Sequence, residues 1–336
     1  MKAAVYHRYG PPSVVVLAEL PKPVAKDHEV LIRIHATTVT SGDRRTRSLQ
    51  LPAGFGIMAR PAFGMFGPRK PILGTELAGV IEAVGKSVTR FKVGDEVFAF
   101  PGAAFGAHAE YRVMPEDGLI ALKPPNLSFE EAAALSFGGT TALGFLVGKG
   151  AIKDSDHVLI VGASGGVGTA AVQLARHFGA KVTGVCSAAN IQLVRSLGAD
   201  VVINYATEDF ATAGRSYDII LDTTGTTPLS RVEDSLKPGG RLLIVLGTFA
   251  QAMGLERPVK GSSKVVIAGV AKRRIEDMQY LARMASARTF TPVIDRSYPL
   301  ENAADAHVYV DTGRKRGNVI LTVATPNSEP KFKETH

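Results

Sequence analysis

The stretch Val158-Leu-Ile-Val-Gly-Ala-Ser-Gly-Gly-Val-Gly-Thr-Ala-Ala-Val-Gln-Leu-Ala-Arg176 decides how this chain folds. The unbroken apolar run at 158–161 has the character of a strand buried on both faces. It enters a glycine-rich turn, and the turn opens an amphipathic helix. Strand, tight turn and helix in that order are the layout of a dinucleotide-binding crossover. Gly165 lets the backbone approach a pyrophosphate, Gly168 lets the helix pack close to the strand, and the helix N-terminus offers unpaired N–H groups to an anion. Ser164, Gly165, Gly166, Val167 and Gly168 are therefore the expected cofactor-binding residues of the turn. Ala163 stands where the first glycine of the G-x-G-x-x-G pattern usually does. The bland alternative is a tight strand–helix turn with no ligand, and the flanking strand and helix favour the binding site over it.

Outward from this unit, the chain alternates strand and helix from about 158 to 287. Apolar runs fall at 158–161, 181–185, 201–203, 218–221, 241–246 and 264–270, with helical segments at 166–178, 190–197 and 229–236 between them. Short strands separated by helices of this length imply parallel crossovers and a doubly wound sheet of about six strands. The first 125 residues read differently. Short alternating segments at 30–36, 79–84, 96–100 and 109–113 sit between Gly/Pro/Asp turns, which predicts an all-β, barrel-like unit with few helices. A last strand signal at 318–323 is expected to return to that first unit and complete it. The fold class is thus α/β, with a β-rich domain over 1–125, completed by about 290–325, and a doubly wound domain over 126–289. At the junction, Ser128 and Glu131 form a capping box behind Leu127, so a helix starts near Phe129. Residues 52–71 are too rich in Gly and Pro for a regular element, yet carry Phe55, Ile57, Met58, Phe63, Met65 and Phe66. Such a loop is either a packed-down arm or the lining of a substrate cleft. Residues 326–336 read as a polar, frayed tail.

Composition narrows the class. The chain has 336 residues, 45% hydrophobic, enough for a large core in two domains. No run of about 18 apolar residues could span a membrane, and the first residues lack the pattern of a signal peptide. A single cysteine, Cys186, excludes an internal disulfide and argues against thiolate zinc sites. A reducing cytoplasm is the expected compartment. The net charge of +8 invites a nucleic-acid reading. The basic residues are scattered, however, and their densest groups (Arg44-Arg45-Thr-Arg47, Lys272-Arg273-Arg274 and Arg314-Lys315-Arg316) are not interleaved with aromatics. A solvated basic surface with some role in holding phosphates is the better reading.

Further motifs carry a family resemblance. Gly74-Thr-Glu-Leu-Ala-Gly-Val-Ile-Glu-Ala-Val-Gly85, Val88-Thr-Arg-Phe-Lys-Val-Gly-Asp-Glu-Val97, the turn at 158–176, Leu193-Val-Arg-Ser-Leu-Gly-Ala-Asp200 and Gly239-Gly-Arg241 follow in order. Together they resemble the zinc-free quinone oxidoreductase branch of the medium-chain dehydrogenase/reductase superfamily, over nearly the whole chain to about Val323. The resemblance implies a GroES-like catalytic domain beside a Rossmann domain, with the active site in the cleft between them, and a homodimer paired through the 264–270 strand. Zinc-dependent relatives place a histidine where this chain has Thr75, and the catalytic cysteine expected within 36–44 is absent. Hydroxyls and a lone Glu76 are poor ligands for Zn²⁺, so no metal site is expected. The histidines read as surface or structural.

An acidic residue about 20 positions past the glycine turn binds the ribose hydroxyl of NAD in such folds. No Asp or Glu occurs between Thr169 and Ala199. Ser187 and Asn190 can donate hydrogen bonds to a 2′-phosphate, and the resemblance adds Tyr205 beside it. NADP(H) is therefore the expected cofactor, although many relatives have Lys or Arg where this chain has Ala189 or Asn190. Gly247, after the 241–246 strand, is expected to face the nicotinamide and Asn318 to be among the cofactor-binding residues, and the resemblance also places Thr141 at the nicotinamide end. On the acceptor side it often has Asn and Tyr where this chain has Thr40 and Arg45. Thr40, Arg45 and Thr141 are the candidate catalytic residues, and Phe55, Met58, Phe63 and Phe66 the candidate substrate-binding residues. Asp43 reads as a turn residue or an arginine partner. Two functions follow: hydride transfer from NADPH to a quinone or α,β-unsaturated carbonyl, or a nucleotide-binding protein of the same fold with a non-enzymatic role such as RNA binding.

Overall fold

A computed structural model describes residues 1–323 apart from 213, 259 and 260, so the polar tail lies outside the described residues. In the first part of the chain, β1 (Lys2–Val5) and β2 (Val16–Glu19) form an antiparallel ribbon. The long β3 (Glu29–Thr38) pairs antiparallel with β4 (Leu77–Val84), which continues to β5 (Glu96–Ala99). β6 (Tyr111–Pro115) pairs with the first half of β3, and β7 (Ile120–Leu122) pairs with β5.

The apolar runs of the middle of the chain become a six-stranded parallel sheet. It comprises β8 (His157–Val161), β9 (Lys181–Cys186), β10 (Val201–Asn204), β11 (Tyr217–Asp222), β12 (Leu236–Ile244) and β13 (Val265–Ala268). The spatial order is β10-β9-β8-β11-β12-β13. Chain order reverses between β8 and β11, which is the switch point where such sheets open a crevice beyond their carboxyl ends. The strand expected last, near 264–270, does lie at the sheet edge. Finally β14 (Ile294–Pro299) and β15 (Asn318–Thr322) return to the first sheet, β15 pairing with the end of β3. This register sets Ile320 opposite Thr38 and so brings the start of β15 to the end of β3.

The helices are α1 (Ser41–Ser48), α2 (Gly56–Phe63), α3 (Phe129–Ala133), α4 (Ser136–Leu143), α5 (Gly166–His177), α6 (Ile191–Ser196), α7 (Leu229–Val232), α8 (Phe249–Ala252), α9 (Ile275–Ser286) and α10 (Ala303–Asp311). Ser128 and Glu131 form the expected capping box at the start of α3. Two expectations are corrected. Residues 52–71 hold a helix, α2, in spite of Pro61. Met58, Ala59 and Arg60 favour helix, a proline removes only one N–H, and Gly64 closes the turn by donating to the Arg60 carbonyl at 2.8 Å. The helix expected over 229–236 stops at Val232, and β12 starts at Leu236 rather than 241. Pro238 cannot continue a helix and Gly239 adopts a left-handed φ of 74°, so the chain straightens early.

One apolar core runs through both sheets. Ala36, Ala78 and Phe98 belong to the same cluster as Leu135, Ala142, Val158 and Leu281, with α3 and α4 between them. The crossover itself needs its glycines. A Cβ on Gly168 would lie 2.1 Å from the Gly162 carbonyl oxygen, too close for any side chain without moving α5 away from β8. Gly168→Val is expected to lower stability by about 1–3 kcal/mol through overpacking. Urea unfolding monitored by circular dichroism checks this, and an unchanged midpoint would show that α5 shifts freely.

Candidate active site

The crevice at the switch point is floored by the glycine turn. Gly162 takes a left-handed φ of 79°, which turns the chain after β8. Gly165 is the N-cap of α5 and, lacking a side chain, leaves the first-turn N–H groups uncapped. Two other segments hold this turn. The Gly317 N–H donates to the Ser164 carbonyl at 2.8 Å, and Gly165 and Gly317 form a parallel bridge. From the other side, a Cβ on Gly138 of α4 would lie 2.4 Å from the Gly166 carbonyl oxygen. A Cβ on Gly166 would meet Asn318 Oδ1 at 3.2 Å and Lys315 Nζ at 3.3 Å. Lys315 Nζ donates to the Gly317 carbonyl at 2.6 Å, and burial lowers its pKa to about 8 against the opposing pull of Glu76 and Asp295. Uncapped N–H groups, a cradle that a side chain at 166 would fill, and an ammonium beside it suit a pyrophosphate.

Ser164, Ser187 and Asn190 come together at the neighbouring edge. Asn190 Nδ2 donates to Ser164 Oγ at 3.0 Å and to Ser187 Oγ at 3.2 Å. Tyr205 follows β10, its N–H donating to the Cys186 carbonyl at 3.2 Å, with its ring mostly exposed at 62%. Cys186 itself is buried, which pushes its thiol up and keeps it protonated. Gly247 follows β12 and packs closely on Ala268 and Gln251.

On the acceptor side, Thr141 is buried in α4 and accepts from the Arg273 guanidinium at 3.4 Å. That guanidinium also lies 4.6 Å from the Phe100 ring centre. Thr40 is the N-cap of α1. Its hydroxyl donates to Asp43 Oδ2 at 2.6 Å, and its backbone N–H donates to the same oxygen at 2.8 Å. Asp43 Oδ1 accepts from the Gly74 N–H at 2.9 Å. Asp43 thus anchors the Gly74 turn and the start of α1, and no arginine pairs with it among the described residues. Arg45 is half-buried on α1 and forms no ion pair among the described residues; burial, then Arg44, lowers its pKa.

Glu76 is the residue whose setting sequence reasoning missed. Its side chain is fully buried, with Oε1 accepting from the Thr38 hydroxyl and Oε2 from the Phe137 N–H, both at 2.5 Å. Burial raises its pKa to about 7 despite these two bonds. Next to it, the Thr75 hydroxyl is buried without a hydrogen-bond partner among the described residues. His108 donates through Nε2 to the Thr38 carbonyl at 2.9 Å. A carboxylate inside an otherwise alternating apolar strand signature was the available signal, since charges are rarely buried there without use.

The apolar residues of 52–71 do not converge on one surface. Phe55 packs edge-on against Phe249 of α8, ring centres 5.5 Å apart, and the Phe249 N–H donates to the Ala53 carbonyl at 2.9 Å. Phe63 packs into the core beside Tyr9 and Leu73. Met58 is half-exposed and Phe66 wholly exposed. The loop therefore bridges from the first sheet to the end of the parallel sheet through Phe55, with Phe63 as its anchor.

Comparison with known proteins agrees with this geometry. Residues 26–124 match the alcohol dehydrogenase GroES-like domain family and residues 197–321 the zinc-binding dehydrogenase family. The chain is 32% identical to human quinone oxidoreductase, covering 96% of this chain and 97% of that protein. It is 30% identical to an Arabidopsis thaliana chloroplastic NADPH-dependent alkenal/one oxidoreductase, over 96% of this chain and 79% of that one. Among solved structures, the quinone oxidoreductase of Coxiella burnetii superposes with a TM-score of 0.84 at 30% identity, covering 96% of this chain and 99% of that one. The chain belongs to the medium-chain dehydrogenase/reductase superfamily, in its quinone oxidoreductase-like branch, and is an oxidoreductase of small molecules built on a nicotinamide cofactor fold.

Asp43 gives the site its local rigidity. Asp43→Ala would strand the Gly74 N–H and remove the α1 cap partner, for a loss of about 2–4 kcal/mol. Chemical denaturation of the purified variant measures this; a loss below about 0.5 kcal/mol would mean that water replaces the carboxylate.

Proposed function

We propose that this protein is a zinc-independent NADPH:quinone or enone reductase that works as a soluble cytoplasmic homodimer. The observation that carries the cofactor choice is the cluster of Ser164, Ser187 and Asn190 beside the uncapped start of α5, with no carboxylate at the end of β9 to repel a 2′-phosphate. Ser164, Gly165, Gly166, Val167, Gly168 and Asn318 hold the pyrophosphate, Ser187, Asn190 and Tyr205 the 2′-phosphate end, and Thr141 and Gly247 the nicotinamide end. Bound there, the nicotinamide supplies hydride. Thr141, steadied by Arg273, fixes the depth at which the ring docks. Arg45, without an ion pair among the described residues, offers its guanidinium to the acceptor oxygen, and Thr40 closes that side. Of the apolar residues of 52–71, the half-exposed Met58 is the one left free to meet an acceptor, whereas Phe55 is spent on Phe249, Phe63 anchors the loop and Phe66 projects outward.

Zinc independence is supported by residue chemistry. Thr75 supplies only a hydroxyl, and both oxygens of Glu76 are engaged by Thr38 and Phe137. Without a metal, the acceptor must delocalise the charge it gains, as quinones and enones do; an isolated alkoxide needs stronger polarisation than hydroxyls provide. The relatives named for quinones and alkenals support the same acceptor class.

Three outcomes follow. NADPH binds at least about tenfold more tightly than NADH, and Ser187→Asp reverses the preference by placing a carboxylate at the phosphate position; fluorescence titration with both nucleotides checks this, and tighter NADH binding by the native chain contradicts it. The protein consumes NADPH with small quinones or enones and does not oxidise ethanol. Tight NADPH binding with no turnover across such a panel would instead favour a non-enzymatic nucleotide-binding role. Light scattering gives the mass of a dimer, paired through the partly exposed edge strand β13; a monomer mass at all concentrations contradicts pairing.

A further inference from the structure

Glu76 and Lys315 lie on opposite sides of the same short stretch of backbone. Glu76 Oε2 accepts from the Phe137 N–H at 2.5 Å. The next residue, Gly138, presses on the Gly166 carbonyl, and Gly166 in turn faces Lys315 Nζ. From the other direction, Thr38, which holds Glu76 Oε1, stands opposite Ile320 in the strand that Lys315 leads into. The charges that act on Glu76 come from three elements: Lys315 before β15 and Arg273 before α9 favour its ionised form, and Asp43 of α1 disfavours it. No cation lies within ion-pair distance of Glu76 among the described residues, so these charges act on it across the backbone, added to the larger effects of burial and of its two hydrogen bonds.

We propose that Glu76 and Lys315 form a charge-coupled pair across the contact of Phe137–Gly138 with Gly166, through which binding of the dinucleotide pyrophosphate makes Glu76 take up a proton from solvent. This rests on the assignment of the glycine turn as a nucleotide site. The physics is direct. An anionic pyrophosphate at the start of α5 neutralises the field of the Lys315 ammonium and adds negative potential of its own. Both changes favour the neutral carboxylic acid. The free carboxyl, held near 7, is about half ionised at neutral pH, so even a modest rise makes it bind a proton. Little desolvation stands in the way, because Glu76 is already buried. The neutral form keeps both present contacts: Oε2 still accepts from Phe137, and the new O–H on Oε1 donates to the Thr38 hydroxyl oxygen. Glu76 is a positioning residue in this scheme. It holds its proton more fully when the cofactor is in place.

The sign depends on pH. Proton uptake is largest near and just above neutrality, and it fades in acid, where Glu76 is already protonated before binding. Lys315, with a free pKa of about 8, contributes its own uptake mainly above neutrality. At pH 7 the Glu76 share therefore dominates.

Calorimetric titration of the intact protein with NADPH and with NADH at pH 7, in two buffers of different ionisation enthalpy, counts the protons exchanged. The expected result is uptake of a few tenths of a proton per nucleotide, lost by most of its value in Glu76→Gln. Lys315→Met is expected to weaken binding about tenfold and to lower the uptake to less than half, leaving only the direct effect of the pyrophosphate charge, and it serves as the test if Glu76→Gln does not fold. Binding without proton uptake, or full uptake retained in Glu76→Gln or Lys315→Met, overturns the coupling and leaves the nucleotide site standing. Failure of either nucleotide to bind overturns the site assignment and the coupling together.

Discussion

The grip on the Ser164–Gly166 turn is the constraint on which the rest of the molecule depends. The turn is clasped by Gly317 through a backbone hydrogen bond and by Gly138 through direct backbone contact. Each contact belongs to a different part of the chain: the first precedes a strand of the antiparallel sheet, the second lies on a helix of the junction. Both need glycine, because a side chain at 138 would collide with the Gly166 carbonyl and Gly317 adopts a left-handed φ of 59°. The cleft between the sheets is thus a fixed distance wide at its floor, set by backbone rather than by long side chains.

Around that floor the molecule accepts an unusual density of buried polarity. Asp43 and Glu76 are both fully buried, and neither is neutralised by a salt bridge among the described residues. Burial of a carboxylate in an apolar interior is costly unless hydrogen bonds replace its hydration. Asp43 meets this with three donors, from Thr40 and Gly74. Glu76 has only two, and its pKa rises accordingly. The difference gives Asp43 an anchoring role at Gly74 and α1 and leaves Glu76 able to change its charge at neutral pH. It also makes this side of the cleft stiff at α1 and electrically responsive just before β4.

The parallel sheet was legible because its evidence is local. An apolar run at 158–161, a glycine turn and a helical period lie within twenty residues of each other, and the return strand at 318–323 carries its own apolar run, Val319 to Leu321. Residues whose roles depend on distant segments were not legible. Lys315 and Arg273 sit in basic triplets that read as solvated surface with some role in holding phosphates, and only the fold shows that each turns inward, to Gly166 and to Thr141. Glu76 owes its setting to Thr38 and Phe137, 38 and 61 residues away. The helix α2 was hidden by counting Gly and Pro, since composition does not say that Pro61 falls where a single lost N–H is tolerated. Phe55 and Phe63 were recognised as apolar, but their separation, one against α8 and one in the core, is a tertiary outcome.

The central claim is that the clasped glycine turn is the dinucleotide site of this oxidoreductase. Amide hydrogen exchange with and without saturating NADPH tests it most directly. The account predicts slowed exchange concentrated in three separated segments, 163–169, 187–190 and 315–318, because only a ligand lying across the start of α5 touches all three. Slowing confined to other regions, or no change in these three at saturation, would contradict it.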